Sequence, residues 1–141
     1  MNLELFVMGI PEPKGSKHIR RRGAKVWLMS GGNAAAHERL VEWAFRIRTG
    51  AERSMRANGA PGLCDEPIAC DLTFYMPRPA SAKKRVHCAV KPDLDKLCRA
   101  VFDPLIGVVI TEDSRVVQLT ARKVYADAEN PAGVWVRLWS V

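Results

Sequence analysis

The order of apolar and polar positions along the 141-residue chain predicts strands interrupted by two amphipathic helices. Residues 2–10 are mostly apolar, and residues 67–76 alternate apolar with polar side chains, which is the period of a half-buried strand. Residues 34–58 carry apolar side chains at helical spacing and predict a long amphipathic helix. A second, shorter helical stripe begins at Leu94 and ends before Gly107, a residue typical of helix C-termini.

Three further segments complete the expected fold. Residues 24–29 predict a short strand that pairs back on the first strand. Residues 115–127 predict a strand with a bulge, and residues 133–141 have apolar side chains on both sides, as in a strand covered on two faces. The resulting order β-β-α-β-α-β-β indicates an α+β protein, with a mixed β-sheet and two main helices in a single domain covering residues 1–141.

Acidic residues flank the second helix. Asp93 and Asp95 follow Pro92, which is tolerated at a helix start, so Asp93 is expected at or just before the N-cap. Asp113 comes after the helix. Because Mg²⁺ is usually held by a few carboxylates and keeps positions for water and phosphate, Asp93, Asp95 and Asp113 are candidate metal ligands. Arg99, one turn beyond Asp95, is placed to neutralise charge on a phosphate.

The same residues also have a purely structural interpretation. Acidic residues at a helix N-terminus commonly act as caps and interact with the helix dipole. Asp95, Arg99 and Asp103 are each four residues apart and could form a solvated salt-bridge ladder. The short acidic motif leaves both interpretations open.

Positive charge is concentrated in two segments of a chain whose net charge is +7 and whose pI is near 9.6. No acid occurs between Glu12 and Glu38, and a second basic cluster precedes the acidic residues, a distribution that favours nucleic-acid binding. Residues 80–90 show no helical stripe and are expected to form a mobile loop that delivers the DNA backbone to the acids. The candidate DNA-binding residues are Lys14, Lys17, Arg20, Arg21, Arg22, Lys83, Lys84, Arg85, Lys91 and Lys96.

Cysteine usage and hydropathy exclude several other classes of protein. The four cysteines lack the spacing of zinc ligands and are expected to be reduced, mostly buried thiols. There is no secretory start and no apolar run long enough to cross a membrane. We therefore expect a cytoplasmic protein with no membrane partner.

One continuous stretch resembles the signature block of the RusA-type Holliday-junction resolvases (crossover junction endodeoxyribonucleases), small enzymes of bacteria and their prophages. Its motifs are Lys91-Pro92-Asp93-Leu94-Asp95-Lys96-Leu97, then Ala100-Val101-Phe102-Asp103-Pro104-Leu105, Gly107-Val108-Val109 and Glu112-Asp113-Ser114-Arg115-Val116-Val117. The basic segment after Pro11, which includes Lys14, is similar to a DNA-contacting loop of the same family.

The resemblance implies a Mg²⁺-dependent nuclease, with Mn²⁺ as a substitute ion, held by Asp93, Asp95 and Asp113. It implies that four-way DNA junctions are resolved by paired symmetric nicks in recombination and repair. Because such a junction has two equivalent strands to cut, we expect a two-fold symmetric homodimer. The lysine of the family motif falls on Arg99 here, and its asparagine falls on Lys96. Arginine keeps the positive charge but cannot lose its proton.

Two alternatives remain open on the sequence. The first is a less selective structure-specific DNA nuclease, because junction preference depends on dimer geometry. The second is a catalytically weakened, basic DNA-binding protein, an alternative that Lys96 and Arg99 leave open.

Overall fold

Four strands and two helices form the main body of the protein. The computed structural model describes residues 1–15, 17–30, 34–59 and 62–141, with residues 17–22 and 26–30 described by their backbone alone. The elements in chain order are β1 (Asn2–Met8), β2 (Lys17–Arg22), β3 (Lys25–Ser30), α1 (Ala34–Ala57), β4 (Ile68–Met76), α2 (Leu94–Leu105), β5 (Val116–Tyr125) and β6 (Gly133–Ser140). The expected α+β class with a mixed sheet and two helices is confirmed. No helix in the described ranges combines the length and apolarity needed to span a bilayer.

The main sheet has the strand order β1-β6-β4-β5. Strand β6 pairs antiparallel with both β1 and β4, whereas β5 pairs parallel with β4. The chain therefore crosses from β4 to β5 through α2, as a parallel pair requires. The register shifts once at the start of β5, so the expected bulge is present.

Both helices pack on one face of this sheet. Trp43, Ile47 and Ala51 of α1 are buried, and a side chain added at Gly50 would contact Leu5 and Val7 of β1. The core consists of these residues, the inward side chains of the strands and the buried face of α2. The opposite face of the sheet carries mixed side chains, among them Trp135, which is 38% exposed.

Four sequence-based details differ from the structure. Strand β2 is absent from the order expected from the sequence, because a single isoleucine among basic residues gives no apolar alternation. Strand β3 pairs with β2 in a separate two-stranded sheet and does not pair with β1. Strand β6 is covered on one face only, since its alternate side chains Trp135 and Arg137 are exposed.

The fourth difference concerns residues 80–90, which were expected to be a mobile loop. The loop starts with a short 3₁₀ turn, Ala80–Ala82, and buries Ala82 and Cys88. The Arg78 guanidinium donates to the carbonyl oxygens of Ala82 and Arg85, each at 2.7 Å, and lies 4.2 Å from the centre of the Tyr125 ring. This loop is thus anchored to the body of the protein.

Candidate active site

Helix α2 begins where the sequence predicted, with Asp93 as its N-cap residue in extended backbone conformation. The Asp93 side chain makes no capping hydrogen bond to the helix. Its carboxylate instead lies 3.3 Å from the Lys96 ammonium. The capping interpretation of this aspartate is therefore not realised in the structure.

Three hydrogen bonds hold the loop that leads into α2 and the first turn of the helix. The Lys123 ammonium, on β5, donates to the carbonyl oxygen of Pro92 at 2.8 Å and also to that of Val90. The Lys14 amide donates to the carbonyl oxygen of Lys96 at 3.1 Å. The start of the helix is thus held from the sheet on one side and by the proline-rich segment on the other.

Asp95 and Arg99 project from the exposed side of α2 beside β5. Both side chains are exposed, and in the part of the chain that the structure describes neither makes an ion pair or hydrogen bond. They border a shallow, largely apolar groove formed by Leu94, Cys98, Phe102, Leu119 and Ala121. Asp103 pairs with Lys14 and not with Arg99, so the salt-bridge ladder of the alternative, structural interpretation does not form.

Two thiols lie close beneath this surface. Burial raises the pKa of Cys98 to about 11, with a further contribution from the charge of Asp95. Burial likewise raises the pKa of Cys70 to about 12. All four cysteines are free, as expected, and Cys70, Cys88 and Cys98 are buried. Burial in the core and a raised pKa both favour a packing role for Cys70 and Cys98.

Asp113 lies at the opposite end of α2 from Asp93 and Asp95, which we call the acidic pair. It starts a 3₁₀ turn, Asp113–Arg115, that leads into β5, and its side chain is exposed. The segment of residues 111–115 that carries it is called the acidic turn below. In the described ranges the Asp113 carboxylate has no hydrogen-bond or ion-pair partner.

Two independent lengths show how far apart these acids are. The 12 residues of α2 span about 18 Å. Along β5, the seven steps from Val116 to Lys123 cover about 23 Å, and Lys123 is the residue that contacts the loop before Asp93. Asp113 therefore lies well away from the acidic pair within one chain.

The acids predicted to bind the metal ion lie in two separate places on the chain. Among the described residues, no group of three or more histidine, cysteine, aspartate or glutamate side chains is arranged to hold a metal ion. A single chain brings together Asp93 and Asp95 but not Asp113. The three carboxylates of one chain thus do not form the expected ligand set, and the assignment of all three as ligands stays a prediction.

The predicted DNA-binding residues fall into three groups. Lys83, Lys84 and Lys91 are exposed and have no ion-pair partner in the described ranges. Lys14, Arg85 and Lys96 are engaged within the protein, by Asp103, by the Tyr125 hydroxyl at 3.1 Å and by Asp93. The remaining four lie on β2, where their side chains are outside the described structure: Lys17, Arg20, Arg21 and Arg22.

A groove of about 610 Å³ runs beside the start of α2. Arg78, Lys91 and Lys96 contribute positive charge to its walls, and Asp93 lies at its edge among the lining residues. Glu12 also lines the groove; burial raises the pKa of its carboxyl, and nearby Arg39 opposes that effect. The groove offers cationic side chains next to the acidic pair.

Several residues that shape this region have no distinguishing signal in the sequence. Lys123 and Tyr125 are ordinary strand positions in the sequence, and only the sheet brings them to the loop before Asp93. Asp65 contacts the acidic turn across 46 residues of chain. Short-range patterns carry no signal for such contacts, because the partners are far apart in sequence.

Comparison with known proteins agrees with the motif. No curated protein matches the chain significantly. The sequence profile of a family described as Endodeoxyribonuclease RusA matches residues 9–138, nearly the whole chain. The match includes the acidic pair, Arg99 and the acidic turn. The chain belongs to the RusA endodeoxyribonuclease family.

Proposed function

We propose that this protein is a Mg²⁺-dependent endodeoxyribonuclease that acts as a homodimer and resolves four-way DNA junctions by paired nicks. Family membership supports the nuclease chemistry. The observation that carries the residue assignment is the state of Asp95, Arg99 and Asp113. All three are exposed, and in the described ranges the fold uses none of their side chains for an ion pair or hydrogen bond.

The roles of the residues follow from charge and position. Asp93, Asp95 and Asp113 are the proposed ligands of Mg²⁺ or Mn²⁺, and such an ion, when bound, polarises phosphate and activates water. Arg99 presents a fixed positive charge one turn beyond Asp95, where it can neutralise a phosphate oxygen. Lys91 and Lys96 line the groove beside the pair and can bind neighbouring phosphates.

The separation of the acids within one chain supports a specific form of homodimer. Asp113 is at the far end of α2, so we place Asp113 of a second copy beside the acidic pair of the first. A two-fold dimer repeats this arrangement and creates two equivalent sites. Two such sites suit a junction in which two strands must be cut.

Substitution of the acids tests the nuclease assignment. Asp95→Asn and Asp113→Asn should each reduce the single-turnover cleavage of a synthetic four-way junction by more than about a hundredfold, the upper range for residues that merely support metal ligands. Junction binding, measured by fluorescence anisotropy with Ca²⁺, should persist. Undiminished Mg²⁺-dependent nicking by either variant would remove that residue from the site.

Mixing the two inactive variants tests whether sites are shared between copies. After unfolding and refolding together, about half of the dimers should contain one chain of each variant, and each mixed dimer should have one intact shared site. About a quarter of the wild-type nicking rate should return. If each chain supplies all three acids to its own site, no activity returns; an affinity tag on one variant and native mass spectrometry check that mixed dimers are present.

One contact favours a second candidate function, DNA binding with weakened cleavage. The Lys96 ammonium lies 3.3 Å from Asp93, where it competes with a metal ion for that carboxylate. A junction-nicking assay with Mg²⁺ and with chelator, beside linear duplex, separates the candidates. Binding without nicking, together with nicking gained in Lys96→Asn, would favour the weakened protein.

A further inference from the structure

The acidic turn is fastened to the protein by a neighbouring segment that precedes β4. Cys64 forms a parallel bridge with Ile110. The Cys64 amide donates to the Val109 carbonyl at 2.8 Å, and the Thr111 amide donates to the Cys64 carbonyl at 3.1 Å. These backbone bonds end at Thr111, and pairing with β4 resumes at Val116, so the residues around Asp113 lie between two paired segments.

Asp65 contacts these residues through its side chain. Its Oδ1 atom accepts a hydrogen bond from the Thr111 hydroxyl at 2.5 Å and another from Arg115 Nε at 3.0 Å. Arg115 Nε also lies 3.4 Å from Thr111 Oγ1. The Asp65 carboxylate thus connects Thr111 and Arg115, the residues two before and two after Asp113. We call these two contacts the Asp65 clamp.

The protonation of Asp65 agrees with this geometry. The hydrogen bond from Thr111, followed by the hydrogen bond and the charge of Arg115, lowers the pKa of the Asp65 carboxyl. Asp65 is therefore ionised at neutral pH and available as an acceptor. The Asp65 side chain is 68% exposed, and exposed ion pairs add little to global stability, so a purely stabilising role explains the network poorly.

We propose that Asp65 is a positioning residue that holds the acidic turn in the conformation in which Asp113 would bind a metal ion; this rests on the proposed function. Asp65 acts through Thr111 and Arg115 and does not itself touch substrate. The turn is exposed, and its conformation decides where the Asp113 carboxylate lies. This placement matters most when Asp113 completes a site on a second copy. Loss of the clamp should therefore weaken metal binding and cleavage while the fold persists.

The test uses Asp65→Asn, with Thr111→Val as a second variant that removes the hydroxyl from the other side. Single-turnover cleavage should fall about tenfold, the lower range for residues that orient metal ligands. The half-saturating Mg²⁺ concentration should rise, and Mn²⁺ binding followed by electron paramagnetic resonance should weaken in parallel. DNA affinity should stay constant or increase, because an exposed negative charge is removed in Asp65→Asn.

Asp127→Asn is the matched control. Asp127 is also exposed, and the backbone N–H of Asn130 lowers the pKa of its carboxyl, but it lies in the turn after β5. Its substitution should leave metal binding and cleavage unchanged. Asp65→Glu, which keeps an acceptor, should recover part of the loss, and thermal melting verifies that each variant is folded.

Each outcome decides the assignment. Slow cleavage with weak Mn²⁺ binding in both test variants, and not in Asp127→Asn, supports it. Normal cleavage and metal binding in Asp65→Asn, while Asp113→Asn is inactive, overturns the positioning role and leaves the proposed function intact. An active Asp113→Asn overturns the assignment of Asp113 and the positioning role with it. If Asp65→Asn fails to fold, Thr111→Val decides between these results.

Discussion

The two ends of helix α2 present acids in different ways. At the N-terminal end, the acidic pair follows a loop whose backbone carbonyls accept hydrogen bonds from Lys123. The Asp93 carboxylate also forms an ion pair with Lys96. At the C-terminal end, Asp113 has no partner among the described residues. The Asp65 clamp instead contacts the residues on either side of it, Thr111 and Arg115. The N-terminal end holds the Asp93 carboxylate through a side-chain contact, whereas the C-terminal end holds only the backbone that carries Asp113.

This difference teaches how an exposed acid can remain available. A carboxylate bound within the fold must break that contact before it can bind an ion. Asp113 avoids this cost, because the neighbouring residues take the structural contacts. Asp93 does not avoid this cost, because it pairs with Lys96. Ion binding should therefore be more sensitive to substitutions at the N-terminal end than at the C-terminal end.

Removal of the Lys123 contact should have the largest effect on the N-terminal end. In Lys123→Met the carbonyls of Val90 and Pro92 lose a charged hydrogen-bond donor. The loss of such a bond lowers the free energy of unfolding by about 1.5–3 kcal/mol. The cleavage rate should fall about tenfold, as for other changes that release a ligand-bearing loop. Single-turnover cleavage and urea unfolding measure the two effects.

Arg122→Met is the matched control for that substitution. Arg122 is the adjacent residue on β5, but its side chain contacts Asp71 at 3.4 Å and Thr73 at 2.8 Å on the opposite face of the sheet. Both variants lose one positive charge, so a general effect of charge on DNA binding would appear in both. Equal loss of cleavage in the two variants would contradict a specific role of Lys123.

The charge-conserving substitution of Arg99, which lies between the two ends, should have a smaller effect. Arg99→Lys keeps the charge, and no ion pair or hydrogen bond of the guanidinium is found in the described ranges, so we expect cleavage within about threefold of wild type. Arg99→Met should be far slower, because the charge is lost. A complete loss of cleavage in Arg99→Lys would show that the planar guanidinium, and not the charge alone, is required.

The sequence predicted the elements of this region better than their spatial relation. The apolar stripe of α2, the N-cap at Asp93 and the bulge in β5 follow from local spacing, and each is confirmed. The separation of Asp113 from the acidic pair depends on α2 and β5 running in opposite directions over similar lengths. A motif of consecutive residues does not contain that information, because it lists the acids without their distances.

The missed elements have the same explanation. Strand β2 is stabilised by backbone pairing with β3, and its basic side chains give no periodic signal. The Asp65 clamp joins residues 46 and 50 positions apart, so it depends on how the chain before β4 lies against the chain after α2. Both features belong to pairing between segments, whereas helix spacing and turn residues are local.

The reactivity of the thiols tests the difference between the two ends, with the smallest expected effect. Cys64 lies beside the acidic turn and is half-buried, whereas Cys88, near the loop before α2, is buried. Burial also raises the pKa values of Cys98, to about 11, and Cys70, to about 12, so at pH 8 both thiols are protonated and slow to react. We expect a disulfide reagent to modify Cys64 first in the native protein, and all four thiols only after unfolding in guanidinium.

In Asp65→Asn the modification of Cys64 should accelerate if the clamp also restrains this segment, while Lys123→Met should accelerate the modification of Cys88 instead. Equal acceleration of both thiols in either variant would mean that the two ends open together and are not held independently.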